Sequence, residues 1–484
     1  MKIVFVNPPL TWKERYNLKR QSGGNTPPIG LVYLAAVTRE KGYDTAIIDA
    51  AVLQLSLTET AEHILGLNPD IVGFTAATIS IDNVINIMGY IKSQRPDIKM
   101  IIGGSHITAV PEETFNRFDS LSLAVLGEAE RTIVDLLEYF SGKDRHRSLE
   151  EIPGLALRKD KGLFFTPKRE RIADLDSIPQ PAWDLLPNLA EFYAPPVHTV
   201  KRFPAAMLVT SRGCTGKCIF CDRSVYGNKC TAHSAQYVVD TVRHLKSKYG
   251  IKEIQFRDDN FVIFRKRLLD ICNKLIDEKV DIAWSCLGRL DMVSEDMLKI
   301  MKKAGCWQIW YGIESGSERI LQLDKKNITI KQIKEAVRLT NKAKIATAGF
   351  FIIGHPGETE EDIKDTLKLI LKLRLDDFHM THMTPFPGSE LYYRAEEFGT
   401  FENDWKLLSA WRPIFVPYGL TSDMLEKYSK KAFFRFYFRI RIMLQYALRV
   451  ITSHHAKLYF FGFLSWLEWI FRKKYDKGRL VKNG

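Results

Sequence analysis

Short apolar runs alternate with amphipathic helical patterns over the first 145 residues of the chain. The runs predict five strands, at residues 2–6, 45–48, 71–74, 100–102 and 123–125. The patterns between them predict helices near residues 30–41, 57–65, 81–94 and 130–140. Apolar strands that alternate with helices are typical of a parallel sheet covered on both faces. We therefore expect an α/β domain over residues 1–145.

The same alternation returns between residues 207 and 420. The predicted strands lie at residues 207–210, 253–257, 282–286, 308–312, 347–353 and 378–383. Six such units predict an incomplete (βα)6 barrel of the TIM type, whose reacting residues would lie at the carboxyl ends of the strands. We interpret residues 146–206 as a connector, because residues 174–187 contain too many prolines for a helix or a central strand.

The loops that follow the strands of the first domain are rich in small and hydroxyl residues. In open parallel sheets, ligands bind beyond the carboxyl ends of the strands, where these loops lie. The four loops are residues 7–9, 75–78, 103–106 and 127–130. No G-x-G-x-x-G motif follows the first strand, which argues against a nicotinamide dinucleotide as the ligand.

Composition and charge restrict the function classes. The chain has 484 residues, enough for two to four domains, and its 45% apolar content is that of a folded protein. Residues 421–484 hold 14 Lys and Arg against 4 Asp and Glu, so they carry +10 of the total charge of +13. The nearly neutral remainder argues against a nucleic-acid-binding protein. Seven cysteines and the lack of a signal-peptide pattern indicate a cytoplasmic protein.

Three of the cysteines form a C-x3-C-x2-C run at Cys214, Cys218 and Cys221, between a predicted strand and a predicted helix. A zinc site or a closed iron–sulfur cluster normally takes four protein ligands, whereas this run supplies three. On a cubane 4Fe–4S cluster, three thiolates leave one iron open for a small chelating ligand. A structural metal knuckle and incidental thiols are the alternatives. Cys230, Cys272, Cys286 and Cys306 have no second metal-binding spacing and are interpreted as small buried residues.

The cysteine run, with Phe220 before its third cysteine, resembles the cluster loop of the radical S-adenosylmethionine enzymes. Over residues 1 to about 445, the chain resembles the cobalamin-binding class of that family, which includes methyltransferases and anaerobic magnesium-protoporphyrin ester cyclases. Other matching segments are Asn7-Pro8-Pro9, Gly103-Gly104-Ser105-His106, Gly127-Glu128-Ala129-Glu130, Arg257-Asp258-Asp259-Asn260-Phe261 and Gly312-Ile313-Glu314-Ser315-Gly316-Ser317. This resemblance implies three cofactors: a 4Fe–4S cluster, S-adenosylmethionine and cobalamin.

The resemblance also implies a domain order. A Rossmann-like, doubly wound cobalamin-binding domain would occupy residues 1–145, and a proline-rich linker would follow at 146–206. The radical barrel would take residues 207–420, and a basic, aromatic, helical region would end the chain at 421–484.

For cobalamin, the resemblance implies contacts from the loops of the first domain. The candidate residues are Asn7, Pro8, Thr75, Gly103, Gly104, His106, Gly127 and Glu128. The D-x-H-x-x-G motif, whose histidine ligates cobalt in proteins of the methionine synthase type, is absent. We therefore expect the cobalamin to be bound with its own base displaced and without a histidine on the metal. His106 is expected to line the corrin pocket or to be a hydrogen-bonded loop residue.

For the cluster and S-adenosylmethionine, the resemblance implies three cysteine ligands and contacts from Phe220, Asp259, Glu314, Arg319 and Gly354. The Asp258-Asp259 pair could instead cap a helix, and Glu314 is expected near the ribose or the methionine end. Arg289 and Arg319 could each pair with the S-adenosylmethionine carboxylate or form an ordinary salt bridge. No catalytic residue is assigned, and His379 and His382 are interpreted as strand residues that either pack or face the substrate.

The basic tail contains two aromatic stretches, at residues 433–441 and 458–471. Arginines interrupt the first, and the second is too short to span a bilayer. We expect residues 425–450 to dock onto the barrel and residues 456–475 to contact a membrane surface, which would place the protein peripherally on the inner membrane.

The leading interpretation is an enzyme that transfers a methyl group from methylcobalamin to an unactivated carbon after a 5′-deoxyadenosyl radical removes hydrogen. Its substrate would be a small or lipid-like molecule, and a ferredoxin or flavodoxin would supply low-potential electrons. Oxidative cyclisation is the alternative within the family. A cobalamin-binding sensor with a degenerate barrel is the alternative outside it.

Overall fold

A computed structural model describes residues 1–16, 24–143, 148–160 and 162–452, together with residues 462 and 464. The described chain forms two large sheets, one of seven strands and one of six, and two short ribbons of two strands each.

The first sheet follows the predicted pattern and then extends beyond it. Its order is β2-β1-β3-β4-β5-β6-β7, with β1 to β5 parallel and the last two strands antiparallel. The strands are β1 (Lys2–Asn7), β2 (Asp44–Asp49), β3 (Ile71–Thr75), β4 (Lys99–Gly103), β5 (Leu123–Val125), β6 (Leu155–Lys159) and β7 (Gly162–Phe165). All five predicted strands are present. The order 2-1-3-4-5 is that of doubly wound flavodoxin-like sheets.

Helices cover both faces of this sheet. They are α1 (Trp12–Tyr16), α2 (Ile29–Glu40), α3 (Ala50–Leu53), α4 (Leu57–Gly66), α5 (Ile81–Gln94), α6 (Ser105–Ala109), α7 (Pro111–Arg117) and α8 (Glu130–Phe140). Their starts follow local capping chemistry. At α4, for example, Ser56 and Glu59 form a reciprocal capping box.

The expected connector, residues 146–206, contains the two antiparallel strands β6 and β7 of the first sheet. The sequence interpretation missed both strands. The apolar run of β6 is only three residues long, and β7 is short and exposed at the sheet edge, where the apolar signal is weak. The proline-rich part forms only short turns, at Leu175–Ser177 and Trp183–Leu185, before the short helix α9 (Leu189–Phe192). The connector is therefore partly an extension of the first domain.

The second sheet contains the six predicted barrel strands, all parallel, in chain order. They are β8 (Ala205–Leu208), β11 (Glu253–Phe256), β12 (Ala283–Gly288), β13 (Cys306–Glu314), β14 (Ala346–Ile353) and β15 (Asp377–His382). The two ribbons pair β9 (Ser211–Arg212) with β10 (Thr231–Ala232), and β16 (Gly399–Phe401) with β17 (Phe415–Pro417).

The barrel helices are α10 (Ala235–Tyr249), α11 (Arg265–Asp277), α12 (Glu295–Lys303), α13 (Glu318–Leu323), α14 (Ile330–Lys342), α15 (Glu360–Lys372) and α16 (Glu390–Phe398). Each buries an apolar stripe against the outer face of the strands. One apolar core continues from the first domain into the barrel. The fold is thus an α/β doubly wound domain followed by a partial (βα)6 barrel.

The C-terminal helices α17 (Ser422–Tyr437) and α18 (Ile440–Thr452) dock onto the barrel edge at β15. Phe436 is fully buried, its ring lies 4.6 Å from that of Phe378, and the Tyr437 hydroxyl donates to Asp377 at 2.6 Å. Arg441 forms an ion pair with Asp376 at 2.8 Å. These contacts agree with the expected docking of residues 425–450. The predicted membrane-contacting segment, residues 456–475, lies outside the described residues apart from 462 and 464.

Among the described residues, no helix combines the length and the apolar content that a membrane-spanning helix needs.

Candidate functional site

A cavity of about 520 Å³ opens at the carboxyl edge of the first sheet, between β1 and β3. Here the strand order reverses, and ligands of doubly wound sheets bind at such a position. Asn7, Pro8 and Thr75 line the cavity, as the sequence predicts, and Ser105 joins them. The opposite wall comes from the second half of the chain, at Phe386 and residues 408–411. The cavity therefore lies between the two domains.

Asn7 is held in place by a buried polar network. Its side-chain amide donates to Asp49 Oδ1 at 2.7 Å, and the Tyr193 hydroxyl donates to Asp49 Oδ2 at 2.8 Å. Burial raises the pKa of the Asp49 carboxyl. Because Tyr193 belongs to the connector, this network joins the connector to the rim of the cavity.

Gly104 adopts a φ of 107°, which is unfavourable for residues with a side chain. A Cβ at this position would lie 2.7 Å from the Ala76 carbonyl oxygen and 2.9 Å from Thr75 Oγ1. The loops after β3 and β4 can therefore approach each other only with glycine at 104. Gly103 ends β4 beside them, where a Cβ would be 3.6 Å from the Val125 carbonyl oxygen.

His106 does not line the cavity. It is buried, with Nδ1 3.2 Å from Thr78 Oγ1 and Nε2 3.1 Å from Thr114 Oγ1. The Trp405 ring packs edge-on at 4.4 Å, and burial lowers the pKa of His106 to about 4. Both ring nitrogens are thus occupied, so His106 is a hydrogen-bonded loop residue, one of its two predicted alternatives.

Gly127 and Glu128, predicted at the corrin pocket, lie away from the residues that line the cavity. The Gly127 amide donates to Thr108 Oγ1 at 3.1 Å. The buried Glu128 carboxylate accepts from Arg212 Nη1 at 2.9 Å and from the Ile172 amide at 2.9 Å. Arg212 also donates to Glu130 at 2.5 Å. Glu128 therefore belongs to an ion-pair network between the domains.

The loop with the three cysteines begins directly after Arg212 and is closed at its base by the β9–β10 ribbon. Gly213 has a φ of 88°, and a Cβ there would collide with the Lys229 carbonyl oxygen on the returning chain. At the other side of the loop, the Ile219 amide donates to the Asp324 carbonyl at 3.1 Å. The loop is therefore fixed at its base and near its middle.

The three thiols face one region of this loop. A Cβ on Gly216 would lie 3.3 Å from Cys214 Sγ and 3.9 Å from Cys218 Sγ. A hydrogen bond from the Cys221 thiol lowers the pKa of Cys218 to about 7. Cys218 is buried, Cys214 is half-buried and Cys221 is exposed. Four further cysteines are free, and three of them, Cys272, Cys286 and Cys306, are buried as expected.

Within the described ranges, no three His, Cys, Asp or Glu side chains converge closely enough to hold a single metal ion. A cubane cluster does not need such convergence, because each thiolate binds a different iron atom. Three thiols on one loop, with a fourth iron left open, fit the donor set of a 4Fe–4S cluster.

Two cations lie beside the thiols. Lys326 is paired with Glu314 at 2.7 Å, and a Cβ on Gly312 would lie 2.7 Å from Lys326 Nζ. Burial lowers the pKa of Lys326, but the carboxylate of Glu314 and the nearby thiols outweigh burial and raise it. Arg289 Nη1 lies 3.5 Å from the Cβ position of Gly216, and its side chain is held by Asp291. Positive charge of this kind stabilises thiolates.

Glu314 has an unusual backbone. Its φ of 63° lies in the left-handed region, which costs a residue with a side chain about 1–3 kcal/mol. The pairing of β13 with β14 shifts register at the same point. This bulge turns the Glu314 carboxylate toward Lys326 at the carboxyl end of β13.

Asp258 and Asp259 have separate roles. Asp258 is fully buried and accepts hydrogen bonds from the Thr210 amide, the Thr210 hydroxyl and the Ser211 hydroxyl. It therefore fixes the turn between β8 and β9 and does not cap a helix. Asp259 accepts a hydrogen bond from the Gly213 amide of the cysteine loop, and desolvation of its carboxylate there raises its pKa. Phe220 packs against the apolar group around Met383 and Phe415.

Arg319 and Gly354, two further predicted contacts of S-adenosylmethionine, make contacts of their own within the chain. Arg319 forms an ion pair with Asp362 and donates to the Gly357 carbonyl at 2.9 Å. Of the two roles predicted for Arg319, the structure therefore shows the ordinary salt bridge. Gly354 has a φ of 89°, and a Cβ there would meet Leu425 of α17 at 3.2 Å. Arg289, the other candidate arginine, is the one beside the thiols.

Three polar residues meet inside the barrel. His379 is predicted from the sequence either to pack or to face the substrate, whereas sequence reasoning missed any role for His198 and Arg257. His198 Nε2 lies 3.3 Å from His379 Nε2, and both rings are influenced by Arg257. Arg257 and His379 could be predicted from the alternation of side chains along β11 and β15, which places both on the inward face. Nothing local marks His198, which comes from the connector.

Two family models match the chain: the B12 binding domain over residues 18–137 and the radical SAM superfamily over residues 208–370. An uncharacterised methyltransferase of Pyrococcus horikoshii is 34% identical over 94% of this chain and 96% of its own length. An anaerobic magnesium-protoporphyrin IX monomethyl ester cyclase of Rubrivivax gelatinosus is 27% identical over 99% of this chain and 85% of its own length. The solved structure of the cobalamin-dependent S-adenosylmethionine radical enzyme OxsB superposes with a TM-score of 0.73 at 18% identity, over 97% of this chain and 71% of that one.

Proposed function

The chain belongs to the cobalamin-dependent radical S-adenosylmethionine methyltransferase family, and we propose that it methylates an unactivated carbon of a small molecule. As a member of this family, it uses a 4Fe–4S cluster, S-adenosylmethionine and cobalamin, and it takes electrons from a reductant. The observation that carries the proposal is the position of three thiols beside Arg289 and Lys326. The ion pair between Arg212 and Glu128 connects their loop to the domain that contains the cavity.

In this proposal, Cys214, Cys218 and Cys221 would hold the cluster, and the iron without a cysteine would be open to the methionine end of S-adenosylmethionine, which carries an amino group and a carboxylate. Arg289 pairs with that carboxylate, because its guanidinium lies beside the cysteine loop and carboxylate recognition suits its planar fork. Asp259 and Glu314, at the carboxyl ends of β11 and β13, accept hydrogen bonds from the ammonium or the ribose.

We assign cobalamin to the cavity between β1 and β3, with contacts from Asn7, Pro8, Thr75 and Ser105. None of these is a histidine, and both His106 nitrogens are occupied by threonine hydroxyls, so cobalt takes no ligand from His106. When bound, the cofactors supply a methyl group and a hydrogen-abstracting radical. The protein contributes position and the exclusion of water.

The proposed reductant is a low-potential carrier such as a ferredoxin or a flavodoxin.

The proposal includes contact with a membrane and a lipid-like substrate. The outer face of α18 exposes Ile440, Leu444, Leu448 and Ile451, with Ile440 at 77% and Ile451 at 80% exposure. These residues follow helical spacing, so they form one apolar stripe. Residues 421–484 carry a net charge of +10, which would favour an anionic lipid surface.

Oxidative cyclisation is the second candidate, because the Rubrivivax cyclase matches 99% of this chain. The identity of 27% is lower than that of the Pyrococcus methyltransferase, so methyl transfer is preferred. A sensor with a degenerate barrel is disfavoured by the complete set of thiols and acids at the strand ends.

The proposal is tested by electron paramagnetic resonance of the anaerobically reconstituted, reduced protein. The wild type should show a reduced 4Fe–4S signal that changes when S-adenosylmethionine is added, because one iron is open. Cys218→Ala should lose this signal and form no 5′-deoxyadenosine. Cys272→Ala, which removes a buried thiol from α11, is the matched control and should retain both. An unchanged signal in Cys218→Ala would overturn the assignment.

A further inference from the structure

Side chains fill the interior of the barrel only in part, and we call the space that they leave the chamber. Alternate residues of the barrel strands remain partly exposed while their neighbours are buried. These partly exposed residues are Leu287 on β12, Gly312 on β13, Phe350 and Ile352 on β14, and His379 and Thr381 on β15. Because side chains alternate between the two faces of a strand, all six belong to the inward face. Their exposure means that the interior is not filled by side chains.

Aromatic rings form one wall of this chamber. The His379 ring lies 5.1 Å from that of Trp310, 5.9 Å from Phe350 and 6.2 Å from Trp411. Trp411 also lines the cavity between the domains. The chamber and the cavity thus share a wall, and an apolar body in the chamber would lie next to the proposed cobalamin position.

Three basic side chains meet in the same chamber. His198 and His379 are in contact through their Nε2 atoms at 3.3 Å, and both lie within the electrostatic reach of Arg257. Arg257 follows β11, and its guanidinium donates to Gln255 Oε1 at 2.5 Å. The Gln255 amide in turn donates to the Thr199 carbonyl at 2.8 Å, next to His198.

Arg257 has no direct ion-pair partner among the residues that the structure describes. Burial lowers its pKa, and the negative charge of Glu253 offsets this effect only in part. Glu253, the nearest acid of the same strand, is instead used by the Lys201 and Arg202 amides and by the Trp307 indole. A buried charge without a partner is costly, so a ligand that supplies negative charge would be favoured here.

A second polar group has no partner. The Gln308 side chain is fully buried, and its Nε2 has no acceptor, while its Oε1 accepts from the Trp310 indole at 2.9 Å. Gln308 and Trp310 are two residues apart on β13, so both side chains lie on the chamber side of that strand. A free amide donor at this position favours an oxygen-rich ligand.

The other charged groups near the histidines are already satisfied. Asp377 faces His379 but accepts from the Tyr437 hydroxyl, and Arg449 donates to the His198 carbonyl at 3.2 Å. Asp377 therefore does not neutralise Arg257, and Arg449 adds a further positive charge near His198.

We propose that Arg257, His198 and His379 form a subsite for an anionic group of the substrate, a carboxylate or a phosphate ester. The apolar part of the substrate lies against Trp310, Phe350 and Trp411. This inference rests on the proposed function, since it describes the substrate of the same site. It narrows the substrate class to an amphiphile with one acidic end.

The test compares three probes with one aromatic body: 2-naphthoate, 2-naphthyl phosphate and the neutral 2-naphthamide. Each is titrated calorimetrically into the anaerobically reconstituted full-length protein without reductant, so that no turnover occurs. At least one anion should bind about tenfold or more tightly than the amide, because charge-assisted hydrogen bonds are the stronger ones. Whichever anion binds more tightly identifies the group as a carboxylate or a phosphate ester.

Arg257→Gln should abolish this preference, and Arg257→Lys should restore part of it. Arg338→Gln removes an exposed arginine from α14 and is the matched control, which should bind like the wild type. Equal binding of all three probes to the wild type, no binding of either anion at millimolar concentration, or an unchanged preference in Arg257→Gln would overturn the subsite. If Arg257→Gln does not fold, Arg257→Lys takes its place, and a preference unchanged from that of the wild type would then overturn the subsite. The product assay for methyl transfer is separate, so the two proposals fail independently.

Discussion

Arg212 Nη1 lies 2.9 Å from Glu128 Oε1, although 84 residues separate the two in the chain. Glu128 follows the last parallel strand of the first sheet, and Arg212 comes two residues before Cys214. Arg212 also contacts Glu130, and its guanidinium lies 5.7 Å from the Tyr33 ring. This buried network sets the position of the cysteine loop relative to the domain that holds the cavity.

Replacing Arg212 by methionine should destabilise the protein strongly. The change leaves the buried Glu130 without its ion-pair partner and leaves Glu128 with only Arg171, whose Nε lies 3.9 Å away. Breaking a buried pair in this way costs about 3–5 kcal/mol. The thermal midpoint should fall by several degrees. Arg39→Met removes an ion pair with Asp184 whose side chains are 46% and 43% exposed, so it should cost less than about 1 kcal/mol. Equal shifts in the two variants would contradict the assigned importance of the network.

Two glycine substitutions should change the stability of the protein in opposite directions. Gly104→Ala places a Cβ against Ala76 and Thr75 at a φ of 107°, so it should destabilise the first domain by about 1–3 kcal/mol and weaken cobalamin binding. Gly89 lies in the helix α5 with nothing within 4 Å of the added Cβ. Gly89→Ala should therefore stabilise the protein by about 0.5–1 kcal/mol. Thermal melts and the cobalamin absorbance of the purified proteins measure both effects. A stable, cobalamin-loaded Gly104→Ala variant would show that the loops after β3 and β4 do not need glycine at position 104.

Arg289 and Arg319 should differ in their effect on S-adenosylmethionine. Arg289 lies beside the cysteine loop, whereas Arg319 pairs with Asp362 on the outside of the barrel. Arg289→Gln should raise the Kd for S-adenosylmethionine about tenfold or more, because a carboxylate loses a charge-assisted partner. Arg319→Gln should leave the Kd nearly unchanged. Equilibrium binding of S-adenosylmethionine to the reconstituted protein is the measurement. A larger rise of the Kd in Arg319→Gln than in Arg289→Gln would show that Arg319 belongs to the binding site.

The stability of the protein should depend on pH through His379. Burial, followed by the effect of His198, lowers the pKa of His379 to about 4. A histidine with a lowered folded-state pKa contributes stability that is present above its ordinary pKa of 6.5 and is lost as the pH falls toward 4. The thermal midpoint of the wild type should therefore drop relative to that of His379→Gln over this range. A constant difference between the two melting curves from pH 7 to pH 4.5 would show that His379 is not buried in its neutral form.

Local patterns predicted the parallel strands because such strands are buried on both faces and read as short apolar runs. All eleven of them, from β1 at Lys2 to β15 at His382, were found in this way. The short antiparallel β7 lacks that signal, because its burial pattern shows no buried residue. The sequence therefore identified the order of the domains but not the full extent of the first sheet.

The site was predicted less completely, because side-chain partners far apart in the chain leave no local pattern. The sequence predicted the cysteine run from its spacing, and it predicted Asn7 and Thr75 from their positions at strand ends, where both line the cavity. It did not identify the partner of Glu128, 84 residues away, or that of His379, 181 residues away. His106 looked like a pocket residue, but its threonine neighbours and Trp405 bury it.

The most direct test of methyl transfer is to quantify 5′-deoxyadenosine and S-adenosylhomocysteine by mass spectrometry. The reconstituted protein is incubated anaerobically with S-adenosylmethionine and a low-potential reductant, with and without a lipid extract. The account predicts that both products rise together when the extract is present. 5′-Deoxyadenosine without S-adenosylhomocysteine would favour cyclisation. The absence of both products, from protein with an intact cluster, would contradict the radical mechanism.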